Sequence, residues 1–124
     1  MKRSSLLCYG LAIFAFAGRP AAAADAQQGQ TIFRMQCAIC HSVQPGRNLI
    51  GPSLDGIVGR KTGSEPGYTY STANKNANLV WTPEELDKYL AAPRTVVPGT
   101  KMPYAGLQDA AKRADLIAYL ATLK

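Results

Sequence analysis

Histidine is almost missing from this chain: among 124 residues there is one, His41, and there are only three cysteines, Cys8, Cys37 and Cys40. Three cysteines cannot build a disulfide framework, and a single histidine leaves no second imidazole for acid–base catalysis once it is used as a ligand. Zinc needs about four donors, and adjacent Cys40 and His41 fit poorly around one tetrahedral ion. The apolar run from Leu6 to Gly18 falls short of the ~17 residues that cross a bilayer core. Strand-like alternation, internal repeats and low-complexity tracts are also absent. The formal charge of +6 is spread along the chain, so nucleic acid binding has no support.

What is there begins with an export signal. Lys2 and Arg3 precede the apolar run, and Ala21 to Ala24 form a small-residue cleavage site. Cleavage after Ala24 predicts a signal peptide over residues 1–24, one domain over 25–124, and a bacterial periplasmic location without stable membrane insertion. An uncleaved anchor and a lipoprotein built on Cys8 are weaker alternatives, since the run is short and Cys8 stands near its start. The mature chain keeps eleven basic and eight acidic residues, a net +3, and loses Cys8. Cys37 and Cys40 then stand too close together for a stabilising cross-link, which points to a chemical purpose.

Asp25, with Gln28 three positions on, caps a first helix carrying Gly29, Ile32 and Phe33. Residues 42–67 are dense in glycine and proline and predict ordered loop. Ser71 caps a short helix through Asn74. Thr82-Pro83-Glu84-Glu85 opens another, to about Ala92, with Leu86, Tyr89 and Leu90 on one face; Pro93 ends it, and Arg94 to Gly106 predicts loop. A last helix spans Asp109 to Lys124. The result is an all-α fold of three to four helices with long loops, too poor in apolar side chains to fill a core of ~100 residues alone.

The motif Cys37-Ala38-Ile39-Cys40-His41 supplies what is missing. Two thiols at this spacing add to the two vinyl groups of a haem, and the following histidine binds the iron, so one covalent haem c is expected. A thioredoxin-like dithiol would follow a strand, and here the motif follows a helix. For the second axial position there are three methionines. Met1 leaves with the signal, and Met35, six residues from His41 on the same helical stretch, is read as packing. Met102 remains, between Lys101 and Pro103 in a stiff loop.

These residues together resemble a class I cytochrome c of the bacterial, mitochondrial-like branch, across Asp25 to Lys124. The resemblance rests on Gly29 and Phe33, Cys37-x-x-Cys40-His41, Gly51-Pro52, Gly59 to Gly63, Tyr68-Thr69-Tyr70 with Asn74, Trp81, Tyr89-Leu90, Pro98 to Met102, and Leu116 with Tyr119. It implies that the fold wraps one haem, with His41 and Met102 as iron ligands and the Pro52 carbonyl fixing the His41 tautomer. Arg60, Tyr70, Asn74, Trp81 and Thr100 would gather around the propionates, and Tyr89 would lie near the Met102 sulfur. The sequence departs from the family pattern at Gln36, where a basic residue is common, at Arg94 to Val97, where lysines are often paired, and at Tyr104, which replaces a more usual phenylalanine.

With both axial positions filled, iron can only change charge. The expected function is therefore a monomeric one-electron shuttle between redox proteins, the partner surface being acidic. Two alternatives remain: a haem subunit of a periplasmic dehydrogenase, or an open-iron peroxidase or gas-binding protein, which would lack a distal histidine.

Overall fold

A computed structural model describes residues 22–124, so the predicted signal lies almost wholly outside the described residues. Five helices are present among them: α1 (Ala26–Gln36), α2 (Thr72–Lys75), α3 (Pro83–Ala91), α4 (Pro93–Val96) and α5 (Ala110–Leu120). Among the described residues there is no strand, only an isolated antiparallel bridge between Lys61 and Val80.

Four of the five helices have a side-chain N-cap, and α4 has none. Asp25 accepts from the Gln27 and Gln28 amides, Ser71 from Asn74, Thr82 from Glu85 and Asp109 from Lys112, each satisfying a donor that the first helical turn cannot. The number of helices exceeds the expected three to four because of α4. Pro93 does stop α3, but its fixed φ also starts a new single turn after Ala92 swings to φ −152, ψ 76. Part of the expected 94–106 loop is therefore helical. The last helix is also shorter than expected, ending at Leu120.

The helix pair that organises the fold is α1 on α5, with α3 also against α5. Gly29 makes the first crossing possible: a Cβ there would stand 1.9 Å from the Asp115 carbonyl oxygen. Phe33, one turn on, fills the space beside it and meets the Tyr119 ring at 5.6 Å between centroids, over a fully buried Leu116. Met35 does not pack. It is 77% exposed, because the buried face of α1 runs through Gly29 and Phe33 and Met35 lies two residues round from it.

Candidate haem site

The 42–67 region has no regular secondary structure but is tightly bonded. Leu54 donates to the Ser42 carbonyl, Gly51 to the Cys40 carbonyl, and the buried Ser53 hydroxyl to the Gln44 carbonyl at 2.6 Å. These bonds fold the loop back against the Cys37–His41 turn, itself an extension of α1 in which the Cys40 and His41 amides both donate to the Cys37 carbonyl. Gly51 permits the closest approach: a Cβ would sit 2.4 Å from the His41 ring.

His41 Nδ1 lies 2.7 Å from the Pro52 carbonyl oxygen. A carbonyl only accepts, so Nδ1 carries the proton and Nε2 keeps a free lone pair. Burial pushes the imidazole below its ordinary pKa, opposed by the Pro52 bond and reinforced by Arg60, so the ring is neutral and able to ligate. Burial also pushes the Cys37 thiol up to about 11, with Cys40 adding to the effect. Among the described residues, no group of three or more His, Cys, Asp and Glu side chains is arranged to hold a metal ion.

All eleven residues named from the sequence as site candidates line one cavity of about 580 Å³: Cys37, Cys40, His41, Pro52, Arg60, Tyr70, Asn74, Trp81, Tyr89, Thr100 and Met102. They come from stretches up to 65 residues apart. Thr100 organises the methionine loop, its Oγ1 accepting from the Met102 amide at 3.3 Å and lying 3.3 Å from the Tyr89 hydroxyl. The same Tyr89 hydroxyl points at the Met102 sulfur at 3.9 Å. Trp81 and Tyr89 rings meet at 4.7 Å.

Arg60 is less free than the sequence suggests. Its Nη1 donates to Glu65 at 2.7 Å and to the Asp55 carbonyl, and its Nη2 to the Ser53 carbonyl. Three of five guanidinium hydrogens are thereby used, and two remain for an anion. The Tyr70 hydroxyl accepts the Glu65 amide at 3.0 Å, which leaves its own proton to donate. Nothing in the sequence pattern marks Glu65 as a site residue. The apolar wall residues Leu54, Ile57, Leu86, Leu90 and Leu120 also go beyond the candidates named from the sequence; helical spacing identifies Leu86 and Leu90 as buried without saying against what.

Haem fits this geometry. The volume lies within the roughly 300–1,000 Å³ of cofactor pockets, the walls are mostly apolar, and the ligand-type donors are an imidazole nitrogen and a thioether sulfur. Asn74 Oδ1 is buried without a partner on this wall, where a water can donate to it or where an amide flip would present Nδ2 to an anionic propionate.

The family model for cytochrome c matches residues 26–124. The chain belongs to the cytochrome c family. This cytochrome is 54% identical over 100 residues to cytochrome c2 of Rhodopila globiformis, covering 81% of this chain and 94% of that one. It is 46% identical over 115 residues to cytochrome c2 of Blastochloris viridis, covering 92% and 90%. Among solved structures, cytochrome cH from Methylobacterium extorquens superposes with a TM-score of 0.75 at 42% identity, over 79% of this chain and 98% of that one. The cytochrome carries one covalent haem c and transports electrons between redox partners; it is not an enzyme.

Proposed function

We propose that the cytochrome is a monomeric, freely diffusing carrier of the bacterial periplasm, with iron closed by His41 on one face and Met102 on the other. The observation that carries this reading is the convergence of His41 and Met102 on one apolar cavity, each with a partner that aims its ligand atom. When bound, haem supplies a single iron couple that alternates between the ferric and ferrous states. Cys37 and Cys40 hold the macrocycle through thioethers. The Pro52 carbonyl holds the His41 ring as a strong donor. Tyr89 and Thr100 steady the Met102 loop, and the leucine wall keeps water from the iron. The two free Arg60 hydrogens, the Tyr70 proton and the Asn74 amide receive the propionates. His41 and Met102 would hold the iron in both oxidation states, each kept in place by its own partner, Pro52 for the one and Tyr89 with Thr100 for the other. Potentiometric titration is expected to follow a single one-electron curve with no ligand change; two phases would contradict a closed site.

Periplasmic export is supported by the N-terminal layout and by the alignment with the Blastochloris viridis relative, whose 92% coverage of this chain reaches ahead of Asp25. Among the described residues, no helix is long and apolar enough to cross a membrane. Ala22 to Ala24 are exposed and irregular, and the fold begins at the Asp25 cap. The Asp25 amide lies 2.7 Å from Asp115 Oδ1 on α5. Cleavage after Ala24 turns that amide into an ammonium group and the contact into an ion pair between the first and last helices. The intact mass of the exported protein should therefore correspond to residues 25–124 plus one haem. A mass retaining residues 1–24 would exclude processing at this site. The mature charge of +3 suits an acidic docking surface with only mild salt dependence.

A further inference from the structure

Two departures from the family pattern, Gln36 and Tyr104, meet each other in the fold: the Tyr104 hydroxyl donates to Gln36 Oε1 across 68 residues of chain. Gln36 is the last residue of α1 and precedes Cys37, whereas Tyr104 lies two residues beyond Met102. Both line the haem cavity.

The methionine loop is anchored before and after this point. Thr100 fixes the Met102 amide, Lys101 reaches the Thr69 carbonyl, and the Leu107 amide donates to the Leu90 carbonyl at 2.8 Å. Between these anchors, among the described residues, no other hydrogen bond holds residues 103–106. Beyond that bond the stretch is held by packing alone: the half-buried Tyr104 ring against the core and Gly106, at φ +115, against the Ala91 backbone, with Pro103 and Ala105 exposed.

We propose that Gln36 and Tyr104 form a latch that closes the methionine loop onto the end of α1 and holds Met102 on the iron. They are positioning residues, acting through Met102, and the latch rests on the proposed ligation by that residue. An excursion of the methionine loop that takes the Met102 sulfur off the iron moves the segment that follows it. The latch bond opposes that motion at the cavity mouth. Neither residue type alone suffices: phenylalanine at 104 has no hydroxyl, and a basic residue at 36 has no acceptor.

The test uses the exported holoprotein in four forms: unsubstituted, Tyr104→Phe, Gln36→Ala and the double variant. Imidazole binding to ferric iron is measured, since it requires Met102 to leave. Each single substitution should raise the apparent imidazole affinity by about two- to tenfold, the range expected for one net hydrogen bond. The double variant should match the singles instead of multiplying them, because one shared bond is lost. Unchanged affinity in Tyr104→Phe, or fully multiplicative effects, would overturn the latch while the red-end sulfur–iron absorption of the unsubstituted ferric protein stays in place. Loss of that absorption in the unsubstituted protein would instead remove Met102 as ligand, and the latch with it.

Discussion

Replacing both Cys37 and Cys40 by alanine should release essentially all of the haem on acid extraction, where the unsubstituted protein releases none; single replacements should lower the yield of covalently loaded protein. The magnitude follows from the fold. A cleft of about 580 Å³ walled by Leu54, Ile57, Leu86, Leu90 and Leu120 is covered only while haem is held, so loss of haem leaves that apolar wall facing water. Loss of the thioethers therefore loosens the α1–α5–α3 packing as well as the cofactor, and soluble yield should fall with haem content. A double variant that keeps its haem through extraction would refute thioether attachment.

Met102→Ala should leave haem attached but open the iron. Added imidazole then binds without competition from the protein, and the reduction potential falls. Thioether sulfur is a soft donor that favours ferrous iron, and its loss removes that preference. A drop of on the order of 0.1–0.3 V is expected, within the ~0.8 V over which axial ligands move haem potentials. The substitution leaves Pro52 and His41 untouched, so the proximal bond persists. Tyr89→Phe separates the sulfur from its hydroxyl neighbour and should have a smaller effect. An unchanged potential with no new ligand binding in Met102→Ala would sink the axial assignment.

Local chemistry is legible in the amino-acid sequence because its partners are close along the chain. Cap residues Asp25, Ser71, Thr82 and Asp109 each bond amides two or three residues on, and the Cys37–His41 motif needs only five adjacent residues. Two local expectations fail for local reasons. Pro93 stops one helix but also starts α4, and Met35 is turned outward by the face of α1 that runs through Gly29 and Phe33. Side-chain pairings outside the regular elements leave no such trace. Arg60 with Glu65 sits in a loop without periodicity, and Gln36 with Tyr104 joins residues 68 apart; each is an isolated oddity along the chain and a partner only in the fold. The family resemblance names the residues around the cavity, but not that Arg60 already spends three of its hydrogens on protein.

The most direct test of the central claim is the visible spectrum of the exported ferric protein, followed by its dithionite-reduced form. A closed His41/Met102 iron predicts sharp reduced bands together with the weak red-end ferric absorption that a methionine sulfur ligand produces. Haem bands without that ferric absorption would contradict the closed carrier and bring an open iron site to the fore.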